Sequence, residues 1–574
     1  MAEWHCSSDS AIDIGDTQDM RKALELEVRA IKIVQSSFCT RLNTLALVNQ
    51  LPPEILAYVF HLLREVWPLP YSRSRAAIFN WVQVTYVCRQ WRTVALDNPF
   101  LWTNIPFSLG NTWKEEFLRR SRMAPISIAQ EDYLSDNDIK SVARTLTQHL
   151  CRIQKLHLSS DQYANFMHIL PMLCDPAPLL ESLILHNNRR SSANSNDPSI
   201  PLEIFNRTAP RLRCLDLRNW QLSWTSLQPF SSLVYLDLWG CSVLPEGFHL
   251  ALDSLEKMHL LEDLKLADVL PPLPDDVTPY STYGPTISLP HLRKLYLKDN
   301  IRSCGLILKH IITPVTAEHE IYCADAEGGH EFLLPWLSTE VDRSMNILKL
   351  SIENDSYGFN VVVSNYNSKA WSVEFAPECH RSPKPSFYLS FHTDSRRFRE
   401  SAMERLCQML PLGNLESLSV FWDDTLSTHD WFAILGGCKS LARAEIRYTC
   451  APSLCELLTT NISLSQSLFP SLVSMKFTDT YFGQTRDFSA NFLNSLSCRA
   501  SSLKELVIHW SCVYETLVEK LRCVVTKVEW DGRENYGIDA FAQYLPGWDS
   551  ESEAAESSVD EEQLSSSSDI LSEP

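Results

Sequence analysis

The chain has 574 residues, 45% of them hydrophobic and 10% aromatic, and carries a formal net charge of -19. That much apolar material can build a packed core, while so acidic a chain repels phosphate backbones and anionic lipid, which speaks against nucleic acid or a membrane surface as partner. With only 16 glycines and no P-loop, GxGxxG or GxSxG stretch, chemistry that needs backbone amides closing on a ligand is disfavoured.

The 17 cysteines are scattered singly, with no C-x-x-C pair. Zinc ribbons and RING fingers need paired thiolates at short spacing, so the cysteines read instead as small buried residues in a reducing compartment. The opening stretch MAEWHCSSDSAIDIGD has neither a basic n-region nor an apolar h-region. No apolar run in the chain reaches about 18 residues. The expectation is a protein of the cytoplasm or nucleus, neither secreted nor membrane-spanning.

In chain order, residues 1–18 are polar and expected to be disordered. Residues 19–48 form an amphipathic helix: Leu24, Ile31, Phe38 and Leu45 fall seven apart, with Val28 and Leu42 on the same stripe. Such a stripe either packs back on its own chain or forms a coiled-coil dimer. Gln35 and Asn49 interrupt the second seam, which favours packing back.

The stretch LPPEILAYVFHLLREVWPLP follows. Pro52 and Pro53 suit a first helical turn and Glu54 suits its positive end. Ile55, Leu56, Val59, Phe60, Leu62 and Leu63 are too many apolar groups for one narrow stripe, so this helix should bury more than one face, one of them against a partner. FNWVQVTYVCRQWRTVALDNPFLWTNI then reads as two short helices ending at Asn98-Pro99.

Leu51-Pro52-Pro53-Glu54-Ile55-Leu56, the later Val87-Cys88-Arg89-x-Trp91-Arg92, and Asn98-Pro99-Phe100-Leu101-Trp102 together resemble the F-box, in the form abundant in mushroom-type fungi. The resemblance covers residues 19–125, with the F-box-like helical head at 49–125. The gap at residues 64–80 is longer than in most F-boxes and lacks the acidic-leucine element usual there. The resemblance implies a head that docks an S-phase-kinase-associated adaptor protein and, through it, a cullin with its RING subunit. The positions implied in that contact are Leu51, Pro52, Ile55, Leu56, Val59, Phe60, Val87 and Cys88.

From residue 150 a different pattern recurs: IQKLHL, LESLIL, LRCLDL, LVYLDL, LEDLKL and LRKLYL start at Ile153, Leu180, Leu212, Leu233, Leu261 and Leu292, and LESLSV, LARAEI, LVSMKF, LKELVI and VTKVEW start at Leu415, Leu441, Leu472, Leu503 and Val525. This L-x-x-L-x-L recurrence is the signature of leucine-rich repeats, in which one strand and its return segment bury their apolar face only by stacking on neighbours. Several steps exceed the usual period of about 20–29 residues, so an irregular array over 150–548 is expected. Asp216, Arg218, Asp237, Trp239, Lys265, Tyr296 and Lys298 should project from its strands. Residues 299–410, with FNVVVSN, AWSVEF and SFYLSF, read as degenerate repeats or as an inserted β element. Residues 549–574 hold nine acidic residues and no Lys or Arg, an acidic tail expected to be disordered.

Other constellations carry less. Trp91 and Trp102 suit the core of a helical head more than a contact surface. Cys379-His380 lacks further ligands for a metal. His157, His259, His291 and His509 are rim residues of a repeat array rather than members of a triad. Trp220, Trp224, Trp239 and Trp422 fit an interface and a repeat core equally well. The fold class is therefore α+β, a small helical F-box head followed by an irregular leucine-rich-repeat solenoid. The function expected is substrate recognition for a cullin-RING ubiquitin ligase, with an unknown target protein on the repeats, no cofactor and no catalysis by the chain itself. The alternative is a repeat scaffold with no ligase role.

Overall fold

Pro53 and Glu54 open a helix where the sequence places one, and Asn98-Pro99 closes the helical stretch that follows. The computed structural model describes residues 14–66, 81–130, 136–188, 198–243, 247–271, 273, 277–281, 284–324, 329–343, 346–355, 358–365, 387–393, 395–421, 427–447, 451–460, 468–480, 482, 486–497 and 502–534. The acidic tail, the first 13 residues, AWSVEF, Cys379-His380, Trp422 and most of the 64–80 gap lie outside them. The chain forms two compact units: Met1–Asp275 with Thr282–Tyr296 and His310–Pro314, and Asp276–Ser281 with Leu297–Lys309 and Val315–Pro574.

The first unit begins with helix α1 (Ile14–Leu45) and the head helices α2 (Pro53–Val66), α3 (Arg89–Asp97) and α4 (Asn111–Ser121). Asn98 ends α3, and its side chain accepts from the Phe100 amide at 3.1 Å, starting the turn Pro99–Trp102. The head core is aromatic. Trp102 lies edge-on to Trp81 and Phe117 at centroid distances of 5.1 and 4.9 Å, and its Nε1 donates to Ala95 O at 2.8 Å. Both tryptophan rings are buried.

The expected packing of α1's apolar stripe against its own chain does not occur. Leu24, Val28, Ile31, Phe38, Leu42 and Leu45 are all exposed. The polar residues Ser36, Thr40 and Asn43 are the half-covered ones. Arg89 donates to Ser36 Oγ at 2.6 Å, and Asn49, just past the helix, donates to Asn43 O at 2.6 Å.

Parallel strands follow: β1 (Asn104–Ile105), β2 (Ile126–Gln130), β3 (Ile153–Ser160), β4 (Ser182–Asn187), β5 (Cys214–Arg218), β6 (Tyr235–Trp239) and β7 (Asp263–Ala267). Each pairs in parallel with the next. The leucines fall in register: Leu156, Leu183, Leu215, Leu236 and Leu264 form one row, and Leu158, Leu185, Leu217, Leu238 and Leu266 the next. All ten are buried, as are Leu212, Leu233, Leu261 and Leu292 at the heads of their units. The ladder starts before residue 150, because β1 and β2 join it without the leucine pattern.

The backbone turns left-handed immediately after several strands: at Asn219, Gly240 and Asp268 in this unit, and at Asp479 and Trp510 in the other. At Gly240, with φ +59°, a Cβ would stand 2.5 Å from Asn219 Oδ1. That carboxamide is itself held, because its Nδ2 donates to Asn187 O at 2.7 Å. Gly240→Ala should cost about 1–2 kcal/mol, read as a lowered melting temperature, with Gly240→Asn less harmful because asparagine tolerates this conformation. Equal melting of the alanine variant and wild type would contradict it.

The second unit contains β8 (Glu318–Ala324), β9 (Lys349–Asp355), β10 (Gly358–Ser364), β11 (Phe387–His392), β12 (Ser417–Phe421), β13 (Arg443–Arg447), β14 (Ser474–Thr478), β15 (Glu505–His509) and β16 (Lys527–Trp530). From β12 onward the strands run parallel, each beside the next, with helices such as Thr428–Leu435 and Arg486–Ser497 between them. The stretch 299–410 breaks the pattern. Strand β9 pairs antiparallel with β10, β10 antiparallel with β11, and β11 parallel with β8, while β9 pairs in parallel with β12. Within that stretch, β9, β10 and β11 form an antiparallel turn-back inside the unit's own sheet.

Candidate partner-contact surfaces

Helix α2 divides its apolar residues between two sides. Leu56 and Phe60, one turn apart, are fully buried, and the Phe60 ring meets Trp91 at 5.1 Å. These two belong to the head's own core, which removes them from the contact set implied by the resemblance. Ile55, Tyr58, Val59 and Leu62 lie on the other side at spacings of three and four residues and are exposed. Pro52 is exposed at the helix start and Leu51 is half-covered.

Asn49 ties the segment before α2 to the start of α3. Its Oδ1 accepts from Trp91 Nε1 at 2.6 Å and lies 4.0 Å from Cys88 Sγ, and its carbonyl accepts from Gln90 Nε2 at 3.0 Å. This brings Leu51 and Cys88 onto joined segments, with Val87 exposed beside Cys88 and Tyr86 exposed before it. At the far end of α2, Arg64 donates to Phe100 O and, at 3.0 Å, to Thr103 Oγ1. Burial pushes that guanidinium below its ordinary range. Tyr58, Leu62 and Tyr86 extend the exposed apolar surface beyond the residues the resemblance implied; the helical spacing from Ile55 is the signal that finds the first two.

The second surface is the face of β4–β7 opposite the leucine rows. Asp216, Asp237 and Lys265 stand side by side in register, as do Arg218 and Trp239. His186 Nε2 lies 2.9 Å and Arg218 Nε 3.5 Å from Asp216 Oδ1. Tyr235 donates to Asp237 Oδ2 at 2.9 Å, and Lys265 Nζ reaches both Tyr235 Oη at 2.8 Å and Asp237 Oδ2 at 3.4 Å. Burial first, then the Asp237 charge, pushes the Tyr235 phenol up, so it acts as a donor at any physiological pH. Asp216 and Asp237 do not project freely, as the alternation implied. They are packed beneath their neighbours and fix the cations and rings around them. Trp239 is exposed over part of its ring and stacks on Tyr296 at 6.0 Å. Trp220 and Trp224 are fully buried and belong to the core; Trp220 Nε1 donates to Leu185 O at 2.8 Å. His186 follows the last leucine of β4 as Arg218 follows that of β5, and this shared position is the signal that marks it.

The second unit carries a similar row. Glu445, buried on β13, takes Arg447 at 2.9 Å and Lys476 of β14 at 3.1 Å. Hydrogen bonds from Lys527 and Ser474 hold the Glu505 carboxyl below the usual carboxylate range. Trp510 is half exposed beneath the Arg533 guanidinium.

Among the described residues no group of three His, Cys, Asp or Glu stands where a metal ion would need it. His157 Nε2 lies 2.9 Å from Ser182 Oγ as a cross-strand pair on neighbouring rungs. Burial pushes the Cys407 and Cys438 thiols up to about 12, too high for nucleophiles at neutral pH. No described helix is long and apolar enough to cross a membrane. Residues 48–108 match the family described as F-box-like. No curated protein matches the chain.

Proposed function

We propose that this chain is a substrate-recognition subunit of a cullin-RING ubiquitin ligase. The F-box-like match over residues 48–108 carries the reading. The exposed Ile55, Val59 and Leu62 side of α2 supports it, since an apolar stripe of this kind on a small head fits a protein partner. In this reading Leu51, Pro52, Ile55, Val59, Val87 and Cys88 contact the S-phase-kinase-associated adaptor, which links to the cullin. The parallel strand–helix units form a leucine-rich-repeat array, and its charged and aromatic face, from His186 to Trp239, holds the target protein. The chain supplies proximity, not chemistry: it raises the local concentration of a target lysine near the ubiquitin carrier, in the cytoplasm or nucleus.

The test is capture of purified adaptor and cullin by the full chain. Ile55→Ala with Val59→Ala should weaken adaptor binding about 100-fold while leaving the melting curve unchanged, because both side chains are exposed and each contributes of order 1.5 kcal/mol when buried by a partner. A folded double variant that captures adaptor as well as wild type would remove α2 from the contact. Wild-type chain that binds adaptor without recruiting cullin would leave a scaffold with no ligase role.

A further inference from the structure

The apolar stripe of α1 faces solvent because the helix rests on the head through its opposite side. At about 100° per residue, Ser36, Thr40 and Asn43 lie within one narrow sector, and Leu24, Ile31, Phe38 and Leu45 lie across the helix from it. The polar sector is the half-covered one, and it carries the Arg89 bond to Ser36. Phe38 is 60% exposed and Ile31 66%. In this arrangement the stripe faces away from the head.

We propose that α1 forms a parallel two-stranded coiled coil with a second copy of this chain. The stripe has the heptad form such a seam requires, with Leu24, Ile31, Phe38 and Leu45 at one core position and Val28, Gln35 and Leu42 at the other. The charges flanking the seam choose the occupant and its direction. In parallel register Glu27 of each chain faces Lys32 of the other, twice by symmetry, and no like-charged pair meets across the seam. Parallel pairing also sets Gln35 against Gln35, amide to amide, whereas an antiparallel pairing that keeps the apolar layers sets Gln35 against Ile31, with no polar partner, and Lys32 beside Lys32. The complementarity is therefore of this helix for itself. Dimerisation would set two heads and two target-binding faces on one assembly, so a target with two binding segments gains avidity.

Sedimentation equilibrium of the full chain tests this. Wild type should run at twice the chain mass at micromolar concentration, and Ile31→Glu with Phe38→Glu at the mass of one chain. Near-ultraviolet circular dichroism of the head tryptophans should be unchanged, since neither substituted side chain is buried. Glu27→Lys alone and Lys32→Glu alone should each raise the dimer dissociation constant about tenfold, and mixing the two variants should restore it, because each then meets its opposite charge across the parallel seam. Wild type at single-chain mass, a dimer that survives Ile31→Glu with Phe38→Glu, or a mixture no tighter than either variant alone would each overturn the proposal.

Discussion

Replacing Trp102 by alanine should cost the head about 3–5 kcal/mol and abolish adaptor capture with it. The indole fills the space between Trp81 and Phe117, donates to Ala95 O, and lies 4.9 Å under the Arg120 guanidinium. Truncation therefore leaves a cavity in the one cluster that joins the 81–86 turn, the Pro99–Trp102 turn and α4, and it orphans a buried carbonyl. A domain is stable by only about 5–15 kcal/mol, and a small one sits toward the lower end, so the loss is a large part of the total. Denaturant unfolding followed by near-ultraviolet circular dichroism reads the cost, and adaptor capture reads the consequence. Trp102→Phe should lose less, because it keeps most of the apolar volume. An alanine variant that unfolds at the wild-type midpoint would mean that the aromatic cluster does not hold the head together.

Leu236→Ala should cost the first unit about 2–5 kcal/mol. Leu236 is fully buried in the middle of its row, in register with Leu215 on one side and Leu264 on the other. The strands touch only their neighbours, so the damage should concentrate in β5, β6 and β7. Hydrogen exchange should show loss of amide protection there, with β12–β16 unaffected. Uniform protection across β5–β7 in the variant would contradict the placement of this leucine at the centre of the row.

The leucine rows were legible because burial on one face of a parallel strand leaves a period the eye can count: Leu215 and Leu217 flank Asp216, and Leu236 and Leu238 flank Asp237. Strands β1 and β2 were not, since Ile126-Ser127-Ile128 is too short a run to stand apart from a loop. Nor was the strand direction within 299–410: Phe359–Val363 reads as a strand from its β-branched residues, but alternation is the same whichever way a neighbour runs. On α2 the resemblance named residues from both sides of the helix without separating them. Which residues turn inward depends on Trp91, thirty or so positions later, and nothing in LPPEILAYVF names that partner. The sequence spacing does not say which way the α1 stripe faces, because that depends on Arg89 and Asn49, which bond to the opposite side.

The turn-back in the second unit bears on how that unit assembles. Where parallel strands follow one another in sequence, each new strand can close on the last as soon as it is made, and the ladder zips. Strand β8 pairs on one side with β11, and for that pairing the chain must first lay down β9 and β10. Closing that loop spends chain entropy before any contact repays it, so this pairing should form more slowly than the stepwise additions. The β9–β10 hairpin is local and can form early, and it then offers β9 as the template on which β12 and the strands after it add. Growth toward the C-terminus is thus a zipper with a ready start, while pairing β8 with β11 waits for a long-range closure, and a nascent chain that stalls between them leaves that edge of β8 open to whatever lies nearby.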